Sequence, residues 1–177
     1  ARQIFYKLAQ TADVVVEGFR PGVTKRLGID YETLSKMNPR IVYCSISGYG
    51  QSGPYVEIPG HDLNYIAVGG ALDMVGETDR PPAIPMNFIA DWAGGSLNAV
   101  IGILTALMAR NETGKGQYVD ISYTDGVASL ITLFAFDNLN YGTNYPRGGT
   151  PFNGGTAGYN VYQALDGKYI NIPVGKV

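Results

Sequence analysis

The sequence predicts an α/β fold with a parallel sheet covered by helices, and two observations support this prediction. Short apolar, β-branched runs recur at residues 13–16, 41–47 and 118–121. The segments between them carry apolar residues at helical spacing, and strands that alternate with helices form βαβ units with parallel strands. Apolar residues make up 45% of the chain and charged residues 16%, which excludes a disordered protein.

The first third of the chain predicts three helices around the first two strands. Residues 1–11 predict the later part of an amphipathic helix, and residues 21–22 form a turn before a short helix that ends at Leu27. Asp30 is expected to be the N-cap of a helix that runs to about Met37 and stops at residues 38–39. The apolar face of the first helix is expected to consist of Ile4, Phe5, Leu8 and Ala9.

The middle of the chain predicts two helices that each follow a loop. A loop rich in glycine and proline spans residues 48–60, and a helix is expected from His61 to about Gly70. A proline-rich connection over residues 76–90 leads to a long helix from Asp91 to about Asn111. This helix is apolar nearly all round, so we expect it to be buried.

The last part of the chain predicts one more helix and a hairpin. The helix covers about Gly126 to Leu139, and a loop follows over residues 142–158. Residues 159–165 and 168–173 flank Asp166-Gly167, a pair typical of a two-residue hairpin turn. Since a hairpin breaks the βαβ pattern, we assign residues 1–142 to a large domain and residues 143–177 to a linker and the start of a smaller one.

Charge and composition exclude several kinds of function. The chain has 13 Lys and Arg against 15 Asp and Glu, so it offers no basic field for a nucleic acid. The longest membrane-like run, residues 99–109, is shorter than the roughly 20 residues that span a bilayer. One histidine and one cysteine make a poor ligand set, so we expect no metal. Cys44 lies in a strand-like apolar run and is expected to be a buried thiol.

His61 and Asp91 are the candidate catalytic residues. Each follows a loop and is expected to open a helix, and the two loops can face one cleft at the carboxyl ends of the strands. A helix N-terminus favours a neutral imidazole, which can act as a base. For each side chain taken alone, helix capping is the more ordinary explanation.

Two further clusters suggest binding roles. Gly94 and Gly95 follow Asp91, and we expect them to let a substrate oxygen approach free N–H groups at the helix start. A basic cluster beside a glycine turn could hold phosphates, or be an ordinary charged surface. The cluster consists of Arg20, Lys25 and Arg26, and Phe19 beside it could provide a stacking face.

Five segments, in the same order, resemble the family III CoA-transferase superfamily. They are residues 17–23 (EGFRPGV), 26–28 (RLG), 38–43 (NPRIVY), 47–54 (SGYGQSGP) and 110–117 (RNETGKGQ). The resemblance covers essentially the whole chain. It implies a Rossmann-like parallel sheet with flanking helices, coenzyme A bound as part of an acyl-CoA substrate and no further cofactor.

Within the superfamily, residues 60–65 and 90–95 resemble the α-methylacyl-CoA racemases. In those enzymes a His and an Asp exchange the α-proton of an acyl-CoA, which assigns these roles to His61 and Asp91. The CoA-transferases keep the Asp as a nucleophile but usually have another residue in place of His61. A third alternative is a catalytically incomplete segment that only binds acyl-CoA.

The resemblance also implies features that reach beyond the chain. It implies CoA binding by residues 19–26, an interlocked homodimer and a Glu partner for His61. The chain ends at residues 175–177 (GKV), about where that Glu belongs, so we expect the partner to be absent or to lie just beyond Val177. We expect the chain to be a segment of a longer protein, because the first helix lacks an N-cap and the chain stops after a strand-like run. We expect a cytoplasmic location.

Overall fold

The centre of the protein is a three-stranded parallel sheet in the order β1-β2-β3. The computed structural model describes residues 1–173. The strands are β1 (Val14–Glu17), β2 (Val42–Ser47) and β3 (Tyr118–Ser122). Because β2 pairs on both sides, it is the most buried element, and its thiol Cys44 is fully buried as expected. The predicted α/β class and parallel sheet are confirmed.

Seven α-helices lie around this sheet in the described part of the chain. They are α1 (Arg2–Ala9), α2 (Val23–Leu27), α3 (Tyr31–Met37), α4 (Asp62–Val68), α5 (Asn98–Thr113), α6 (Tyr123–Leu130) and α7 (Thr132–Tyr141). The predicted cap of α3 is confirmed, since the Asp30 side chain accepts a hydrogen bond from the Thr33 N–H at 3.0 Å.

Two apolar clusters form the core, and one of them joins helices to the sheet. It connects α1, α3 and β2 through Ala9, Leu34, Ile41 and Tyr43. The other joins helical segments to one another, through Tyr65 and Ile66 of α4, Val127 of α6, and Ala71 and Ala90. The predicted inward face of α1 is confirmed for Phe5 and Ala9 and wrong for Ile4 and Leu8. Ile4 and Leu8 point to solvent, and Tyr6 packs inward instead.

The long apolar helix begins earlier than the sequence predicted and changes its winding. Residues Phe88–Leu97 form a π-helical segment that continues directly into α5. Asp91 therefore lies in the first turn and does not open the helix. The α-helical part ends at Gly114, whose φ of 72° is the left-handed conformation that glycine adopts at helix ends.

The expectation that this helix is buried is wrong for most of its surface. Small residues, including Ala99 and Ala106, face inward, and a Cβ on Gly102 would lie 2.8 Å from Val119. Larger side chains face solvent; Met108, for example, is 71% exposed. The continuous helix Phe88–Thr113, 26 residues long, is long and apolar enough to span a membrane, a property that core helices of soluble proteins share.

The C-terminal part differs from the prediction in two places. The single helix expected from Gly126 to Leu139 is divided into α6 and α7 at Ile131, whose ψ of 14° departs from helical geometry. The hairpin is present as β4 (Tyr159–Gln163) and β5 (Tyr169–Pro173). Its turn is longer than two residues: Ala164 N–H still bonds to the Lys168 carbonyl, and Gly167 adopts a φ of 81° between them.

Candidate active site

A cavity of about 490 Å³ lies at the carboxyl ends of β1 and β2. Its walls come from three pieces of chain and from Tyr123 of α6. The pieces are residues 18–21 after β1, residues 46–50 at the end of β2 and part of residues 56–65, where α4 begins. Parallel strands open such crevices at their carboxyl ends, which is where open α/β sheets bind ligands.

The residues predicted to bind CoA divide into two groups. Phe19 and Arg20 line the cavity, whereas Lys25 and Arg26 are exposed on α2 and do not. The turn that carries Phe19 is fixed by its own N–H, which donates to Oε2 of Glu17 at 2.8 Å. Within residues 1–173, none of the three cations pairs with a carboxylate, so their charges remain available to an anionic ligand.

His61 stands at the N-cap position of α4, as predicted, and lines the cavity. The backbone N–H of His61 donates to Oδ1 of Asn64 at 3.0 Å. The Tyr65 hydroxyl donates to the carbonyl of Gly60, the residue before His61. A Cβ on Gly60 would meet the Tyr65 ring at 2.6 Å, so this glycine allows the ring to pack directly against the loop. These contacts fix the backbone on both sides of His61.

Asp91 is partly buried and lies outside the cavity lining. The side-chain amide of Asn87 donates to its Oδ2 at 3.4 Å. The negative charge of Asp91 reaches two tyrosines of the cavity wall, where it adds to the effect of burial. Burial is the largest cause of the raised pKa values of Tyr65 and Tyr123. The charge of Asp91 contributes less, and at Tyr65 it contributes less than the neighbouring tyrosines.

Asp62 connects the two candidate catalytic segments, and the sequence reasoning missed it. Its Oδ2 accepts hydrogen bonds from the N–H groups of Ala90 and Asp91, at 3.1 and 3.0 Å. The side chain of Asp91 does not cap its helix because the helix begins at Phe88, and Asp62 accepts from the N–H groups of its first turn instead. The only sequence signal was an acidic residue in the first turn of α4.

The predicted role of Gly94 and Gly95 is not supported by their surroundings. Both are buried, and a Cβ on Gly95 would lie 2.1 Å from the Tyr123 ring. A Cβ on Gly94 would lie 3.0 Å from the Tyr123 carbonyl oxygen. The close approach that these glycines permit is made by α6 of the same chain. The expectation of free N–H groups is also wrong for Ala90 and Asp91, which donate to Asp62.

Three tyrosines that line the cavity pack against one another. The rings of Tyr65 and Tyr123 are parallel with centroids 5.2 Å apart, and Tyr49 meets Tyr65 edge-on at 5.3 Å. A Cβ on Gly48 would meet the Tyr65 ring at 2.4 Å, so the end of β2 packs on the same ring. Tyr65 thus ties β2, the loop before His61 and α6 together.

Two other expectations concern a metal and the partner of His61. Among residues 1–173, no three His, Cys, Asp or Glu side chains gather closely enough to hold a metal ion. The Glu partner that the resemblance implies was expected to be absent or just beyond Val177, and residues 175–177 lie outside the described residues.

Comparison with known proteins places this architecture among CoA-dependent enzymes. Residues 1–176 match the profile described as CoA-transferase family III. The chain is 38% identical over 170 residues to the human alpha-methylacyl-CoA racemase, covering 96% of this chain and 44% of that protein. It is 42% identical over 131 residues to acetyl-CoA:oxalate CoA-transferase of Acetobacter aceti, covering 73% of this chain and 33% of that protein.

Solved structures show the same fold. A CAIB/BAIF family protein from Brucella suis superposes with a TM-score of 0.86 at 37% identity. The match covers 98% of this chain and 45% of that one. The chain thus spans less than half the length of these relatives.

Proposed function

Because the chain belongs to CoA-transferase family III, we propose that the protein interconverts 2-methylacyl-CoA stereoisomers, with His61 and Asp91 exchanging the α-proton. One observation carries the proposal. His61 lines the same cavity as Phe19 and Arg20, and Asp62 bonds the helix of His61 to the segment that bears Asp91. An acyl-CoA held by Phe19 and Arg20 would present its thioester end to these two groups.

The reaction moves one proton off carbon and one back onto it. One group takes the α-proton of the thioester, and the electron pair moves onto the carbonyl oxygen to form an enolate. The other group, in its protonated form, then donates a proton to the opposite face of the same carbon. No bond to sulfur breaks, so CoA stays attached throughout. General acid–base groups of this kind typically contribute about 10²- to 10⁴-fold in rate.

Binding of the CoA portion is assigned to the segment after β1. Arg20 brings a cation to the cavity and Phe19 an aromatic face, which suit a phosphate and a nucleobase respectively. Lys25 and Arg26 lie on the adjacent exposed helix, where they could contact a phosphate outside the cavity. No cofactor besides the CoA of the substrate is proposed.

A CoA-transferase is the second candidate, and relatives with that name favour it. Formyl-CoA:oxalate CoA-transferase of Streptomyces avermitilis is 34% identical over 192 residues. In that reaction an Oδ of Asp91 would attack the thioester carbon and expel the CoA thiolate, leaving a mixed anhydride on Asp91. His61 discriminates between the two candidates, because proton exchange needs it and transfer does not.

The deciding experiment follows α-proton exchange of a 2-methylacyl-CoA in D₂O, using the natural protein at its full length. We expect exchange in the wild type and a loss of about 10²-fold or more in at least one direction for both His61→Ala and Asp91→Ala. CoA transfer to a carboxylate acceptor is measured in parallel. Transfer that persists in His61→Ala, without exchange in the wild type, would favour the transferase instead. Binding without either reaction would favour the binding segment.

The homodimer and the cytoplasmic location remain proposals. The dimer is supported by the apolar surface of α5, which exposes more than half of each of several large side chains. Those side chains are Val100, Ile101, Leu104 and Met108. A surface of this kind is typical of protein–protein contacts.

A further inference from the structure

One carboxylate joins the two candidate catalytic segments. Asp62 follows His61 directly, and its Oδ2 receives the N–H groups of Ala90 and Asp91, which lie 28 and 29 residues further along the chain. Both distances, 3.1 and 3.0 Å, are typical of well-formed hydrogen bonds. A bond to an ionised acceptor is roughly twice as strong as one between neutral groups.

In the described part of the chain, no other hydrogen bond joins α4 to the Phe88–Leu97 segment. Besides the two bonds to Asp62, the contacts between α4 and the Phe88–Leu97 segment are apolar, through Ile66 and Ala90. Apolar packing holds two elements together but defines their register less sharply than directional bonds. The two bonds also satisfy N–H groups in the first turn of the π-helical segment, which lack partners within the helix.

We infer that Asp62 is the positioning residue that sets the separation and orientation of His61 and Asp91. The inference rests on the proposed function, in which these two groups act on opposite faces of one carbon. Asp62 is one peptide unit from His61, and it holds the backbone of Asp91 itself. A shift of the Asp62 carboxylate therefore changes the position of Asp91 relative to His61. Displacements of about 1 Å in a reacting geometry can cost 10²-fold in rate.

Three variants separate positioning from general stability. Asp62→Ala removes the acceptor, and Asp62→Asn keeps an oxygen that can accept both bonds. Asp30→Ala is the matched control, because Asp30 caps α3, a helix of the same length as α4, away from the cavity. Losing such a cap costs typically about 1 kcal/mol of stability.

In the full-length protein we expect Asp62→Ala to lower kcat for α-proton exchange by about 10²-fold, with KM within about twofold of wild type. Asp62→Asn should recover most of this loss, and Asp30→Ala should keep wild-type kcat. The double variant Asp62→Ala with Asp91→Ala should be no slower than Asp91→Ala alone. Once the carboxylate of Asp91 is gone, positioning it has no further effect on the rate. Additive losses, or an Asn variant as slow as the Ala variant, would overturn the inference.

Amide hydrogen exchange tests the geometry without any assay of activity. The N–H groups of Ala90 and Asp91 should lose protection in Asp62→Ala and keep it in Asp30→Ala. Unchanged protection in Asp62→Ala would contradict the inference even if the wild type is an active racemase. Lost protection in Asp62→Ala, together with a wild type that shows no exchange activity, would contradict the proposed function and leave the hydrogen-bonded connection in place.

Discussion

At the scale of single residues, the cavity separates cations that the sequence placed in one cluster. Arg20 lines it, whereas Lys25 and Arg26 face solvent from α2. The sequence could place all three near a glycine turn, because they are neighbours along the chain. It could not show which of them faces the cavity, since that depends on the path of the chain between β1 and α2.

This difference predicts unequal effects on substrate binding. Arg20→Ala should raise KM for acyl-CoA by about tenfold or more with little change in kcat, because a charge-assisted contact contributes roughly 1.5–3 kcal/mol to both ground and transition state. Lys25→Ala is the matched control, a cation of the same turn region outside the cavity, and should change KM less. Initial rates at varied acyl-CoA concentration measure both. A larger effect at Lys25 or Arg26 would place the phosphates on α2.

Single-residue prediction from the sequence succeeded where local rules apply. The positions of His61 and Asp30 at helix starts follow from nearby loops and apolar spacing, and both are confirmed. Asp62 could not be found in this way, because its partners lie 28 and 29 residues away. Its role depends on how two helices meet, which local spacing does not encode.

At the scale of elements, the approach of α6 to the π-helical segment explains three glycines. A Cβ on Gly126 would lie 2.0 Å from the carbonyl oxygen of Gly94, and Gly95 lies under the ring of Tyr123. The sequence showed two glycines after Asp91 and suggested the close approach of a substrate oxygen, whereas the structure shows the close approach of a helix. The π-helical winding is also invisible to sequence periodicity, because the apolar spacing of residues 88–97 does not distinguish it from an α-helix.

Gly126→Ala should therefore destabilise the fold strongly. The added methyl would meet backbone, which cannot move away as a side chain can, so we expect about 3 kcal/mol of lost stability and a fall in Tm of roughly 6–12 °C. Gly18→Ala is the control, because its nearest atom would be the Ile46 carbonyl oxygen at 3.9 Å. Thermal unfolding monitored by circular dichroism measures both variants. Equal Tm values would mean that the two helices do not touch in solution.

At the scale of the whole molecule, the sheet and its helices leave a large apolar surface in solvent. The sequence correctly predicted that the long helix is apolar all round, but not that only one side is covered. Within residues 1–173, the inward face packs against β2 and β3 through small residues. The large residues on the other face have no such partner there, and burial depends on what surrounds a helix as well as on its composition.

This exposed surface of α5 predicts self-association of the chain. Leu104 and Met108, 55% and 71% exposed, lie one helical turn apart on the same face, and burying them in a contact between copies would remove apolar area from water. The double variant Leu104→Lys with Met108→Lys should shift the chain toward monomer in sedimentation at matched concentrations. Leu165→Lys is the control, because Leu165 is a fully exposed leucine in the hairpin turn, remote in sequence from α5. A wild-type chain that stays monomeric, or a control that dissociates as readily as the double variant, would assign this surface no role in association.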